Sequence, residues 1–168
     1  MKKTHVVGLV ALVFLGVLPG MGWTARPGGT FNFVVPYGGD VLTLDPHRTP
    51  NTNDWIVTMN IHRSLYSWDD ANNRPKLELG DKVEVSSDGL VYKIALKKGV
   101  KFHNGRPMTA DDVIWNYERI MNPKIASPSA RFVRVIKGAK DFEDGKAAKI
   151  AGLRKLDDLT IEITMDPR

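Results

Sequence analysis

Apolar and polar positions alternate most regularly in the second half of the chain. Lys82–Ser86 and Leu90–Lys97 are predicted strands, because in the second one apolar side chains recur at every other position. Ser87-Asp88-Gly89 lies between them, and an Asp-Gly pair is typical of a tight turn. The pattern therefore predicts a β-hairpin. The same alternation predicts a half-buried strand over Leu159–Met165.

A period of 3.6 residues then indicates helices. The clearest helix begins at Thr109, which suits the N-cap, with Asp111 and Asp112 near the positive end of the helix dipole. It is predicted to end at Asn122-Pro123, because a residue before proline avoids helical dihedral angles. A looser helical pattern covers Phe132–Phe142 and ends near Gly145.

The first part of the chain contains shorter signals. Thr30–Val35 is predicted to be a strand, and Asp45-Pro46 is predicted to close the next apolar run with a turn. Several N-cap candidates in Asn51–Asp54 precede a helix predicted over Trp55–Tyr66. Asp69–Pro75 is predicted to be a polar loop. Strands and helices are thus mixed, without regular strand-helix-strand repeats.

The N-terminus has the three-part pattern of a secretory signal peptide. Met1-Lys2-Lys3 is basic, Val6–Leu18 is almost wholly apolar, and small residues follow. Cleavage after Gly22 is favoured, which assigns residues 1–22 to the signal peptide. The alternative is a retained N-terminal anchor helix, although the apolar run is shorter than the roughly 20 residues of a bilayer span.

The composition narrows the class of protein. Hydrophobic residues are 42% and charged residues 26% of the 168 positions, as in ordinary globular proteins. The net charge of +5 includes Lys2 and Lys3; without them it is 22 minus 19, or +3. The remaining basic residues are interspersed, so nucleic-acid binding is not expected. There is no cysteine, which excludes disulfides, a thiolate nucleophile and a lipid-bearing cysteine at the cleavage site.

Five collinear stretches resemble the family 5 extracellular solute-binding proteins, the peptide and nickel binders of ABC importers. The most specific is Leu96–Val113, which reads LKKGVKFHNGRPMTADDV. The other four are Gly28–Thr30 with Thr43–His47, then Val85–Ile94, Ser127-Pro128 and Leu156–Thr164. The features of Leu96–Val113 are turns and a helix cap, so this signature identifies the fold rather than a solute contact.

The resemblance implies an α/β (mixed α+β) fold, the N-terminal part of a two-lobed type II periplasmic-binding-protein fold with a mixed sheet. Family members are several hundred residues long. Residues 23–168 are therefore expected to be an incomplete N-terminal portion of lobe I, with further contacts supplied by the rest of such a protein.

The resemblance also suggests solute contacts. Residues just after an Asp-Pro-His sequence, here Asp45-Pro46-His47, line the cleft in oligopeptide binders, which gives Thr49, Pro50, Asn51 and Thr52. Their main-chain groups could pair with an extended peptide; alternatively the loop only caps the following helix. Ser129 follows Ser127-Pro128, where some relatives carry an aromatic contact, so the preferred solute stays open.

Other chemistry has weaker support. Arg131 and Arg134 could pair with a carboxylate, although such arginines are more often solvated. His47, His62 and His103 match no compact metal-ligand spacing, and no metal or other cofactor is expected. The sequence contains neither Gly-x-Ser-x-Gly nor Gly-x-x-x-x-Gly-Lys, so an exported hydrolase is only the alternative to a non-enzymatic carrier.

By this resemblance, the expected function is capture of an extracellular solute between two lobes and its delivery to an ABC permease in the inner membrane. Peptide is the favoured solute, with nickel chelates, glutathione or oligosaccharides as alternatives. The expected protein is periplasmic, not a lipoprotein, and monomeric when full length.

Overall fold

A computed structural model describes residues 28–30, 32 and 39–167. The chain divides into two compact units, Met1–Val34 and Val35–Arg168. In the first unit the described residues are 28–30 and 32, and all are exposed. The predicted signal peptide lies outside the described residues. The strand predicted over Thr30–Val35 lies outside them too, apart from Thr30 and Asn32.

The described part of the second unit contains four helices and six strands. In chain order these are α1 (Thr52–Ile61), β1 (Tyr66–Asp69), β2 (Arg74–Leu77), β3 (Gly80–Val85), β4 (Val91–Leu96), α2 (Ala110–Met121), α3 (Ala130–Val133), α4 (Ala139–Glu143), β5 (Leu153–Asp157) and β6 (Thr160–Thr164).

Strands β3 to β6 form one four-stranded sheet in the order β3-β4-β6-β5, and each of its three pairings is antiparallel. The β3–β4 hairpin confirms the predicted one. Its turn is closed by the Ser86 N–H, which donates to the Val91 carbonyl at 2.9 Å. Gly89 has a φ of +72°, which glycine adopts without strain. The local alternation therefore placed both strands correctly.

One core lies between this sheet and α2. The central strands β4 and β6 turn Ile94 and Ile161 inward at paired positions, with 3% and 0% of their surfaces exposed. Helix α2 adds Val113 and Met121 from one face, as its 3.6-residue period predicted. Burying aliphatic side chains of this size contributes roughly 1.5–3 kcal/mol each.

The ends of α2 also agree with the prediction. The Asp112 carboxylate accepts a hydrogen bond from the Thr109 N–H at 2.8 Å, which satisfies a donor that the helix leaves free. Arg106 pairs with the same carboxylate at 2.7 Å. The helix ends at Met121 with Asn122 as its C-cap, immediately before Pro123.

The prediction of a polar loop over Asp69–Pro75 was wrong at both ends. Tyr66–Asp69 and Arg74–Leu77 are strands that pair with each other, and only residues 70–73 form the turn. Pro75 fits because this is a two-stranded ribbon, where a strand need not donate from every N–H. The preceding helix ends at Ile61 rather than Tyr66, because the backbone is already extended at His62, with φ −110° and ψ 151°.

Two other segments differ from the prediction. The helix expected over Phe132–Phe142 is divided into α3 and α4, because Gly138 adopts a φ of +75° between them. Strand β5 was not predicted; Leu153–Asp157 alternates too little to indicate a strand, and it forms by antiparallel pairing with β6, which follows it directly in the chain. The mixed helix and strand content nevertheless confirms the predicted fold class. None of the described helices has the length and apolar character to span a bilayer.

Gly152 provides a direct test of the packing between β5, β6 and the α3–α4 connection. A Cβ at Gly152 would lie 2.5 Å from the Thr164 carbonyl oxygen and 2.9 Å from the Lys137 nitrogen. Both are backbone atoms that cannot rotate away, so Gly152→Ala is expected to lower the free energy of unfolding by about 2 kcal/mol in urea titrations.

The matched control is Gly99→Ala. Gly99 has a φ of +75° but nothing within 4 Å of its added Cβ, so only backbone strain of about 1 kcal/mol is expected. Equal tolerance of the two substitutions would contradict this close approach.

Candidate functional site

The segment Asp45–Thr52, called here the Asp-Pro-His segment, connects an exposed apolar run to α1. Its first turn is closed by Asp45, whose Oδ1 accepts from the His47 N–H at 3.1 Å and whose carbonyl accepts from the Arg48 N–H at 3.1 Å. At its end Asn51 caps α1, because its Oδ1 accepts from the Asn53 N–H at 2.8 Å. The N-cap expected within Asn51–Asp54 is thus Asn51.

A buried carboxylate fixes the middle of this segment. Asp54 and Thr49 are 0% and 1% exposed, and the Thr49 hydroxyl donates to Asp54 Oδ2 at 2.6 Å. Asp54 Oδ1 accepts from the Leu42 N–H at 2.8 Å. The hydrogen bond from Thr49 is the main reason that the pKa of Asp54 lies below its ordinary value. A single carboxylate thereby holds the chain on both sides of the Asp-Pro-His segment.

Arg119 ties the same segment to α2. Its two terminal nitrogens donate to the two oxygens of Asp45 at 2.6 and 2.9 Å, and Nη1 also lies 2.7 Å from His47 Nδ1. Because a guanidinium only donates, His47 Nδ1 is the acceptor and carries no proton in this arrangement. Bonding to Arg119 lowers the pKa of Asp45 to about 2. Burial, reinforced by the Arg119 charge, lowers the pKa of His47 below 6.5.

The predicted solute contacts fall into two groups. The side chains of Thr49 and Asn51 are already engaged, in the Asp54 hydrogen bond and in capping α1. Pro50 and Thr52 are exposed. Within the described residues the Pro50 carbonyl accepts no hydrogen bond. The exposed residues of this segment are thus Arg48, Pro50 and Thr52.

Ser129 lies elsewhere, half-buried immediately before α3. Its N–H donates to Ser127 Oγ at 3.3 Å, and its carbonyl accepts from the Phe132 N–H at 3.0 Å. In the part of the chain that the structure describes, no hydrogen bond connects Ser129 with Thr49–Thr52. The backbone of Ser129 is therefore occupied by the local turn.

The remaining candidates have local partners. Arg134 pairs with the Glu143 carboxylate at 2.6 Å, whereas the Arg131 guanidinium lies 4.6 Å from the Phe132 ring centroid. His62 Nε2 lies 3.2 Å from the Leu44 carbonyl oxygen. Over residues 28–30, 32 and 39–167, no group of three or more potential ligands is arranged for a metal ion.

Sequence reasoning missed Arg119. It lies near the end of α2, on a helix whose signature suggested only architecture, and 74 positions separate it from Asp45. A lone arginine in a helix carries no local signal for a partner so far away. The Asp-Pro-His segment was recognisable because its turn residues are consecutive.

Comparison with known proteins identifies the family. Residues 74–167 match the model described as "Bacterial extracellular solute-binding proteins, family 5 Middle". The chain belongs to this family. The match extends from β2 to the end of β6, so it contains the sheet, α2 and Arg119. It confirms the family resemblance seen in the motifs, and the members of this family are binding proteins rather than enzymes.

Individual relatives agree. The dipeptide-binding protein of Lactococcus lactis subsp. cremoris is 28% identical over 98% of this chain and 30% of its own length. The periplasmic oligopeptide-binding protein OppA of Salmonella typhimurium is 30% identical over 76% of this chain and 24% of its own length. The chain thus spans less than a third of these relatives.

A solved structure shares the fold. The substrate-binding domain of an oligopeptide ABC transporter from Bacillus anthracis is 28% identical, with a TM-score of 0.69 over 75% of this chain and 24% of that one. The similarity confirms the predicted α/β fold of the periplasmic-binding-protein type.

The buried hydrogen bond between Thr49 and Asp54 can be tested by Thr49→Val. Valine has a similar shape but no hydroxyl, so the Asp54 carboxylate loses a donor inside the protein. The free energy of unfolding is expected to fall by about 1–3 kcal/mol. Thr49→Ser keeps the hydroxyl and is the control, with a smaller loss in the same urea titration. Equal losses for the two variants would assign the effect to packing instead.

Proposed function

We propose that this chain is part of a periplasmic solute-binding protein that captures peptides and delivers them to an ABC permease in the inner membrane. The observation that carries the proposal is the family match over residues 74–167. Relatives of this chain are named as dipeptide-binding and oligopeptide-binding proteins. The B. anthracis structure, described as part of an ABC transporter, supports the permease as partner. The proposed protein binds and releases peptide without a covalent step.

The solute contacts proposed within this chain are Thr49, Pro50, Asn51, Thr52 and Ser129. The exposed Pro50 carbonyl is free to accept from a peptide N–H, and the exposed Thr52 hydroxyl can donate or accept. Thr49 would contribute through the main chain, since its side chain is bonded to Asp54. The main-chain groups of Asn51 are engaged by Thr49 Oγ1 and the Trp55 N–H, so Asn51 would act by shaping the loop. Main-chain pairing with a peptide backbone depends little on the peptide's side chains, which suits a carrier of varied peptides.

The rigidity of this loop favours binding. Capping by Asn51 and the buried Asp54 hydrogen bonds fix the loop before any solute arrives. A preformed loop loses less conformational entropy when it binds, so more of the interaction energy appears as affinity.

The proposed mechanism is closure of two lobes around the solute. Residues 23–168 supply the N-terminal portion of the first lobe, and the second lobe supplies the opposing contacts. Solute that touches both lobes binds the closed state more tightly than the open one, and so shifts the population toward closure. The closed form is then the one that docks on the permease.

Export across the inner membrane is proposed as part of the same role. Residues 1–22 are proposed to be a cleaved signal peptide, and the absence of cysteine excludes lipid attachment to a cysteine. The mature protein is proposed to be a periplasmic monomer.

Peptide binding is tested by thermal unfolding of the full-length gene product with di- to oligopeptides, using nickel salts and oligosaccharides as controls. A peptide at 100 times its Kd stabilises the native state by about 2.7 kcal/mol, which raises Tm by several degrees. A Tm increase with peptides alone is expected. Stabilisation by sugar or nickel and not by any peptide would contradict the peptide assignment.

The site is tested by Thr52→Glu. An acidic residue at the first position of α1 suits the helix dipole, so Tm without solute is expected to stay unchanged. The larger charged side chain would obstruct the proposed contact surface and weaken peptide affinity about tenfold, or 1.4 kcal/mol, in calorimetric titrations. Ala148→Glu, at an exposed position between α4 and β5, is the charge-matched control. Unchanged affinity in Thr52→Glu would exclude Thr52 from the site.

A further inference from the structure

We propose that Asp45, His47 and Arg119 form a proton-sensitive latch that holds the Asp-Pro-His segment against α2, so that solute binding weakens when His47 is protonated. Arg119 is a positioning residue in this scheme, because it acts on solute through the segment it holds. The inference rests on the proposed function, which places solute on Thr49–Thr52.

The geometry of the latch requires neutral His47. Arg119 Nη1 is shared between Asp45 Oδ1 at 2.9 Å and His47 Nδ1 at 2.7 Å, while Nη2 donates to Asp45 Oδ2 at 2.6 Å. A proton on Nδ1 would remove the lone pair that faces Nη1 and replace it with a second donor. Two cationic donors would then oppose each other at hydrogen-bond distance.

The Asp45 charge and a hydrogen bond with Asn116 favour a protonated His47, but burial and the Arg119 charge outweigh them, so the pKa of His47 is lowered. His47 is 8% exposed, so water does not replace the lost acceptor. Arg119 and Asn116 face it from α2, Asp45 from its own segment, and His62 from the residue after α1. Asp45 is the carboxylate in this set, and both its oxygens are already bonded to Arg119.

The sign of the pH effect follows from burial. Burial and the Arg119 charge lower the pKa of His47 below 6.5 in the latched state, whereas a released, hydrated imidazole returns toward 6.5. The released state therefore binds more protons, and acidification below 6.5 favours it. The latch is fully stable above this pH and is progressively lost as the pH falls toward the latched pKa.

Loss of the contact between Arg119 and the segment would directly affect the order of the proposed solute contacts. His47 is two residues before Thr49, and the apolar side chains on the other side of the turn pack little against the protein: Leu42 and Leu44 are 76% and 53% exposed. Without the Arg119 contact, the segment loses its tie to α2 and keeps its hydrogen bonds to α1 and to the residue after it: the Asn51 cap, the bonds of Thr49 and Leu42 to Asp54, and the contact between Leu44 and His62. A less ordered loop loses more conformational entropy when it binds solute, so the affinity is lower.

The test measures peptide affinity of the full-length protein by calorimetry between pH 7.5 and pH 5.5. Wild-type affinity is expected to fall about fivefold over this range, in proportion to the extra protonation of the released state. His47→Asn places a carbonyl acceptor near the Nδ1 position and does not titrate, so its affinity is expected to change less than twofold. His103→Asn, at an exposed histidine outside the segment, is the matched control and should retain the wild-type profile. A wild-type profile that His47→Asn leaves unaltered would overturn the latch.

A second readout separates the latch from the proposed function. In the wild-type protein without solute, the His47 imidazole is expected to titrate below 6.5 by NMR, and amide exchange in residues 45–49 should accelerate as it does so, beyond the intrinsic pH dependence of exchange. If His47 titrates below 6.5 and exchange accelerates, but no peptide binds at any pH, the latch is supported and the proposed function is refuted. A His47 that titrates at or above 6.5, with unchanged exchange, would refute the latch even if peptides bind.

Discussion

Arg119 makes the contact on which the arrangement of the proposed site depends. The Asp-Pro-His segment buries little apolar surface of its own, since Leu42 and Leu44 before it are largely exposed. What fixes its position is polar: a bidentate ion pair from α2, a histidine acceptor beside it, and the buried Asp54 that binds both flanks. Such bonds are directional, so they specify one loop geometry rather than merely favouring compactness.

The rest of the described fold is stabilised differently. The sheet and α2 enclose aliphatic side chains, such as Ile161 and Met121 at 0% and 1% exposure, and this apolar core makes α2 a rigid support. Arg119 transfers that rigidity to a loop that has no core of its own. Proteins commonly place their binding groups on loops that a rigid scaffold holds in position. The proposed carrier function relies on such a loop.

Local patterns were sufficient where local interactions decide the structure. The β3–β4 hairpin, the span of α2 and strand β6 follow from alternation, from the Asp-Gly turn and from capping, all of which lie within a few residues of each other. The β1–β2 ribbon and β5 also pair with strands nearby in the chain, but the polar residues of Arg74–Leu77 and Leu153–Asp157 leave no clear alternation to mark β2 and β5 as strands. Gly138 divides a helical pattern by its φ of +75°.

The site shows the same division. The Asp-Pro-His segment and the Asn51 cap were visible in consecutive residues, and the family resemblance gave them a role. The partnership of Arg119 with Asp45 and His47 joins parts of the chain that are remote in sequence, and no periodicity or motif marks it. The hydrogen bond from the Thr49 hydroxyl to Asp54 is likewise unmarked in the sequence, because a threonine in a loop and an aspartate in the first turn of a helix are both common without such a bond.

The most direct test of this account is a double-mutant cycle between Asp45 and Arg119. The free energies of unfolding of Asp45→Ala, Arg119→Ala and the double variant would be measured in urea and compared with wild type. Because the pair is bidentate and about three-quarters buried at each side chain, a coupling energy of about 1 kcal/mol or more is expected. Strictly additive losses would show that the two side chains do not depend on each other, and that Arg119 does not hold the segment.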